Sequence, residues 1–334
     1  MEKISIIICH HKGKLIDKAV DSLLLSRDVD FEIIIASSDQ DCVDRFSDRK
    51  KITSFFCLGG PAKKRNVAFR YAQYPYIAFF DDDIEVNDYT LVRMLEALKE
   101  PNVGMVYGKL LNMEFRDRFD EAGSFLTFSG FLWSRAASGT KDIGQYTEKC
   151  PVLAGKSAAC MIHRKIFSEV GLFDASYEIL GEETDLSWRV WLYGYKVIYV
   201  PSSVTFHAFN TKFKPADFYI PRRVYFNGAR NYLNMLTTNL EIHNLIIPLT
   251  IQISVWAAAS VGMFLTGKFE AGYYIMKGIA YYFTHLRPIL LKRSQVQSKR
   301  KVRDNELFPF IRRSPKAYYY IHRFFHYLKT GLHG

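Results

Sequence analysis

Through the first 110 residues, short apolar runs alternate with stretches whose apolar residues recur at helical spacing. Residues 4–9 (ISIIIC) and 31–36 (FEIIIA) are too short for helices and rich in β-branched side chains, so both predict buried strands. Residues 52–58 predict a third strand and 76–80 (YIAFF) a fourth. Between them, Leu15, Ala19 and Leu23 share one helical face over 14–25. Gly59-Gly60-Pro61 breaks the chain, and Pro61 suits the first turn of a helix over 62–72. Residues 111–150, rich in Gly, Ser, Arg and Phe, read as a surface excursion. Order returns at 154–162, at a helix over 164–170 closed by Gly171, and at a helix over 184–193 with Gly194 as its cap. A last strand over 197–201 leads to Val204-Thr205-Phe206-His207. Near-continuous apolar strands separated by amphipathic helices predict an α/β fold, a doubly wound and mostly parallel sheet covered on both faces. Such sheets bind ligands beyond the carboxyl ends of their strands.

Composition adds a second part. The chain has 334 residues, 49% of them hydrophobic, with a net charge of +11. Residues 1–209 hold 26 Lys+Arg against 29 Asp+Glu, whereas 210–334 hold 19 against 5. The whole basic surplus, with 22 of the 51 aromatic residues, therefore lies beyond about residue 210. Two domains are expected, 1–210 and 211–334. Five scattered cysteines with no CxxC pair fit reduced thiols, not a disulfide framework or a thiolate zinc site. The first fourteen residues read as a strand and its turn, not as a signal peptide.

Candidate chemistry sits where the sheet would bind ligands. Asp81-Asp82-Asp83 directly follow the fourth strand. In extended backbone, Asp81 and Asp83 point to one side and Asp82 to the other. Two carboxylates so placed suit Mg²⁺ or Mn²⁺, ions that bridge to a diphosphate. Glu182-Glu183-Thr184-Asp185 open a helix with more carboxylates than capping needs, and one of them can serve as a general base. His207, just past the last strand, is an available imidazole ligand. Lys63-Lys64-Arg65-Asn66 open a helix behind two glycines, a setting for phosphate.

The ordered series of these motifs resembles the family 2 glycosyltransferases of GT-A fold, over about residues 3–210. Members read RNxG, FLDDD, GxFDE and EDxDLxxR, followed by a distant His. The resemblance makes Asp81 and Asp83 the metal-binding carboxylates, with His207 as a further metal ligand. It places Arg65, Asn66 and Asp82 at the donor, Glu183 as the base and Asp185 as the alternative base. Two segments depart from the pattern. The first strand ends in His10-His11-Lys12, and Asp39 stands two residues beyond the usual nucleobase aspartate. The implied activity is inverting, metal-dependent transfer of a sugar from a nucleotide-diphosphate donor to a hydroxyl. A sugar-1-phosphate nucleotidyltransferase and a non-catalytic binding protein are the alternatives.

In the tail, Tyr225-Phe226-Asn227-Gly228-Ala229-Arg230-Asn231 resembles the YxxRN segment of rhamnosyltransferase-like members. Residues 245–267 carry no formal charge and reach the length of a membrane span. A single crossing would export 268–334, with 14 Lys+Arg against 3 Asp+Glu, contrary to the positive-inside bias. Helices lying on the cytoplasmic face of the cell membrane are therefore expected, with a lipid-linked or growing surface glycan as acceptor. The long apolar runs argue against nucleic acid as the partner.

Overall fold

The computed structural model describes residues 2–208 and 221–315. The domain boundary expected at 210 lies outside the described residues. The chain divides into two compact units. The first is built from β1 (Lys3–His10), α1 (Leu15–Leu24), β2 (Asp30–Ser37), α2 (Gln40–Phe46), β3 (Ile52–Phe56), α3 (Pro61–Phe69) and β4 (Tyr76–Asp81). The short strands β8 (Ser124–Leu126) and β9 (Leu132–Ser134) fall mostly in the second unit, while the first continues through β5 (Ile84–Val86), α4 (Thr90–Leu98), β6 (Val103–Asn112) and β7 (Phe119–Glu121). β10 (Cys150–Pro151), β11 (Ala159–His163), α5 (Arg164–Val170), α6 (Glu182–Leu192) and β12 (Lys196–His207) complete it.

The sheet runs β10-β12-β6-β11-β4-β1-β2-β3, with β5 added to β12 and β7 to β6. β1 pairs in parallel with β2 and β4, β2 with β3, and β6 with β12, while β11 runs antiparallel between β4 and β6. The unbroken isoleucines of β1 follow from this placement. Ile4, Ile6 and Ile8 face one layer with Ile16, Ala19 and Leu23 of α1, and Ile7 is equally buried on the other side. On that opposite face Phe79 of β4 meets Phe167 and Phe173 edge to face.

Three local features differ from the sequence expectation. The excursion at 111–150 contains β7, β8 and β9. α6 starts at Glu182, which brings both glutamates into its first turn. The two expected segments around Pro201 form one strand, β12: Val200 pairs with Gly108 and Val204 with Lys109, so 201–203 bulge out. Proline has no N–H for the ladder, and the bulge accommodates that loss.

The second unit consists of α7 (Pro221–Asn239), α8 (Ile242–Leu265), α9 (Phe269–Thr284), α10 (Leu286–Ser298) and α11 (Asp304–Ile311), together with Phe125–Trp133 and Ile179–Gly181. Its core joins Leu233 of α7, Trp256 and Met263 of α8, and Ile275 and Tyr282 of α9. α7 and α9 approach closely at Gly278, where a Cβ would lie 2.7 Å from the Phe226 carbonyl oxygen. α8 turns Gln252 and Ser260 inward: Gln252 Nε2 donates to the Ser129 carbonyl and Ser260 Oγ to the Gly272 carbonyl. Its opposite face leaves Ile246, Ile247, Val261 and Leu265 exposed.

Candidate metal and donor site

The first unit gathers its acidic residues where β4 ends. β5 begins one residue after Asp83 and pairs antiparallel with the end of β12, setting His207 opposite Ile84. The Ala208 amide donates to the Asp83 carbonyl at 2.9 Å. Residues 124 positions apart thus meet. Ligand atoms of Asp81, Asp83 and His207 all lie within 4.8 Å of one another. His207 Nε2 is 3.1 Å from Asp83 Oδ1 and 3.8 Å from Asp81 Oδ2.

The other imidazole nitrogen is fixed by a residue that sequence reasoning missed. His207 Nδ1 lies 2.8 Å from Asp120 Oδ2, and Asp120 Oδ1 lies 2.5 Å from Lys156 Nζ. Burial works against the Asp120 carboxylate, yet the Lys156 charge and the His207 hydrogen bond outweigh it and hold Asp120 well below the usual range. Burial also opposes a charged His207, but Asp83 and Asp120 raise it to about 9. A proton and a divalent cation compete for such a nitrogen. Two carboxylates plus an imidazole whose far nitrogen is held by a carboxylate form a donor set that fits Mn²⁺ or Mg²⁺.

Asp82 faces away from this trio, with its Oδ2 2.6 Å from His10 Nδ1. His10 is buried at the end of β1. Burial opposes its charge, but the Asp82 hydrogen bond prevails and raises it to about 9. Asp39 caps α2 by accepting the Asp41 amide, and its Oδ2 lies 3.8 Å from His10 Nε2. The departure noted at His10 is therefore filled by an ion pair joining β1 to the acidic turn.

At the start of α3, expected as a setting for phosphate, Lys64, Arg65 and Asn66 have partners within the first unit. Arg65, only 2% exposed, bridges the acidic clusters: Nη2 is 2.9 Å from Asp81 Oδ1 and Nη1 3.3 Å from Glu182 Oε1. Lys64 Nζ donates to Ser38 Oγ and to the His10 carbonyl. Asn66 uses its whole amide on Phe173, donating to the carbonyl at 2.7 Å and accepting from the amide at 3.1 Å. Arg65 and Asn66, expected at the donor, thus have internal partners, because buried cations and amides need paired groups.

At the start of α6, Glu182 takes Arg65, and Glu183 stands beside it half-buried. Burial, reinforced by the Glu182 charge, pushes the Glu183 carboxyl well above the usual glutamate range. Asp185, expected as the alternative base, is fully buried with Oδ2 3.0 Å from Arg189 Nε. Arg189 Nη1 in turn donates to the Val170 carbonyl and Nη2 to the Leu172 carbonyl. Asp185 is therefore tied through Arg189 to the end of α5 and the loop after it.

Comparisons with known proteins agree with this architecture. The sequence model of glycosyl transferase family 2 matches residues 5–171. A putative polypeptide N-acetylgalactosaminyltransferase 10 of Drosophila melanogaster is 26% identical over 243 residues, covering 70% of this chain and 37% of that protein. The pre-mycofactocin glycosyltransferase of Mycobacterium tuberculosis is 24% identical over 180 residues, covering 51% of this chain and 34% of that protein. The chain thus spans little more than a third of the length of these curated relatives. Among solved structures, GalNAc-T7 with UDP, GalNAc and Mn²⁺ superposes with a TM-score of 0.58 at 16% identity, over 86% of this chain and 58% of that one. Residues 1–349 of S. aureus TarS give 0.54 at 17% identity, over 89% of this chain and 87% of that one. The mostly parallel sheet, the acidic turn beyond β4 and the sequence match together place the chain in glycosyl transferase family 2, with a fold of GT-A type.

Proposed function

We propose that this protein transfers a sugar from a nucleotide-diphosphate donor to an acceptor hydroxyl with inversion at the anomeric carbon. The observation that carries this reading is the convergence of Asp81, Asp83 and His207 at the carboxyl end of β4. These three residues would hold Mn²⁺ or Mg²⁺, an ion that neutralises charge on a leaving diphosphate. Arg65 fixes Asp81 and Glu182 by ion pairs from one side, and Asp120 orients His207 from the other. Glu183 accepts the acceptor's hydroxyl proton as its oxygen bonds to the anomeric carbon and the bond to the diphosphate oxygen breaks. The electron pair of that broken bond leaves with the nucleoside diphosphate, so no covalent enzyme intermediate is needed. The GalNAc-T7 structure, with UDP and Mn²⁺, supports the donor class. Incubation with a panel of nucleotide sugars and Mn²⁺ tests the reading through nucleoside-diphosphate release and NMR of the product anomer. Retained anomeric configuration overturns the mechanism, and binding without release favours a non-catalytic sugar-nucleotide receptor.

The second part of the proposal places the helical unit on the cytoplasmic face of a membrane, with a lipid-linked or surface glycan as acceptor. α8 is long and apolar enough to cross a membrane by length and composition. However, its inward face carries Gln252 and Ser260, both bonded within the unit. Its outward face, and Phe269, Tyr273 and Phe283 of α9, remain apolar and exposed, with Lys268, Lys277, Arg287 and Lys292 nearby in sequence. Apolar insertion combined with cationic attraction is the pattern of an interfacial helix on anionic lipid. The double substitution Leu265→Glu with Phe269→Glu should abolish co-flotation with phosphatidylserine vesicles, and high salt should release the unsubstituted chain only in part. Flotation unaffected by the double substitution removes the membrane reading.

A further inference from the structure

The YxxRN segment has no part in the mechanism above, yet its asparagine stands at a specific place. Asn231, 3% exposed on α7, donates through Nδ2 to the carbonyl of Ile179 at 2.8 Å and of Leu180 at 2.7 Å. Its Oδ1 accepts from Arg230 Nε at 2.8 Å, which orients the amide. Arg230 is itself held by its guanidinium lying over the rings of Phe226 and Tyr281, 5.0 and 5.3 Å away. Every hydrogen-bonding group of the Asn231 side chain is therefore engaged.

The backbone it grips is unusual. Leu180 has φ +68° and Gly181 φ +92°, two consecutive residues in the left-handed region. A leucine seldom adopts that conformation, which persists only where surrounding contacts impose it. Glu182 and Glu183 follow at once as the first turn of α6. Ile179–Gly181 belong to the helical unit, and Glu183, the residue proposed as base, stands two positions beyond Gly181.

We infer that Asn231 is a positioning residue for Glu183, acting through the main chain of Ile179–Gly181. This inference rests on the reading of Glu183 as the base. Asn231→Asp is nearly isosteric but removes both N–H donors and sets a carboxylate against two carbonyls. In the full chain it should lower the kcat of nucleoside-diphosphate release from a UDP- and dTDP-sugar panel by about tenfold or more, the scale of a slightly misplaced catalytic group. The donor KM and the affinity for Mn²⁺ alone should hold within about twofold, because uniform binding is not what the clamp supplies. Hydrogen exchange over residues 180–187 should rise by about tenfold, with peptides of β1 and β4 unchanged. Arg230→Lys should move kcat and exchange the same way, by less.

Wild-type kcat in folded Asn231→Asp overturns the inference, as does a fall in Mn²⁺ affinity equal to the fall in kcat. If Asn231→Asp does not fold, Arg230→Lys decides: unchanged kcat and unchanged exchange over 180–187 overturn it. Glu183→Gln, run alongside, separates the two readings. Normal turnover there removes the base, whereas a dead Glu183→Gln beside a normal Asn231→Asp removes only the clamp.

Discussion

Glu183→Gln should turn over at about one hundredth of the wild-type rate or less while binding donor and Mn²⁺ normally. Glutamine keeps the size and one oxygen of the side chain but cannot take a proton, and loss of a general base has this scale. Glu182 keeps its ion pair with Arg65, so the first turn of α6 retains its support. The pH profile gives a second, independent reading. Burial and the neighbouring Glu182 charge raise the Glu183 carboxyl well above the ordinary glutamate range. The proposed base works only when ionised, so kcat/KM should rise with pH through that raised value and fall away on the acid side. The acid limb should disappear in Glu183→Gln. A limb unchanged in position in the variant means that another group titrates there.

The other large effect is expected at the proposed metal ligands. Asp83→Ala removes a carboxylate 3.1 Å from His207 Nε2 and should abolish Mn²⁺ binding and transfer together. Asp120→Asn tests the outer layer. It keeps a side-chain oxygen for the His207 Nδ1 proton but loses the charge that pairs with Lys156. Removing such a supporting carboxylate weakens metal affinity by about 10–100-fold. Titration with Mn²⁺ alone, followed by electron paramagnetic resonance, reads both variants without substrate. Wild-type affinity in folded Asp83→Ala would exclude the proposed site, and wild-type affinity in Asp120→Asn would reduce Asp120 to a packing role.

What the sequence revealed and what it hid divide along a physical line. The strands and the acidic turn were legible because a buried parallel strand is a continuous apolar run, and three aspartates after it stand at a known edge. The imidazole of His207 was legible by its place near a strand's carboxyl end, and it is the last residue of β12. Asp120 was not, because it lies on the three-residue β7, within an excursion that shows no periodicity. Arg65 and Asn66 were located correctly on a helix start, but spacing along one helix does not tell which neighbour its side chains meet. Arg65 meets residues 16 and 117 positions away, and Asn66 meets one 107 away. The same limit explains Asp185, whose partner Arg189 was in view one turn along, while the carbonyls beyond Arg189 were not.

The pairing of β5 with β12 has a consequence for heat stability. His207 reaches the acidic turn only because Ile84 lies opposite it in an antiparallel register. Side chains alternate along a strand, so a slip by one residue would carry the imidazole to the far side of the sheet. Any cation gripping Asp81, Asp83 and His207 together therefore ratifies one register over all others, and does so by mass action. At a free concentration one hundred times its dissociation constant, it adds about 2.7 kcal/mol to the folded state. Chelators should accordingly lower the melting temperature, and the first strand pair to open should be the three-residue β5, leaving the isoleucine core of β1 closed until later.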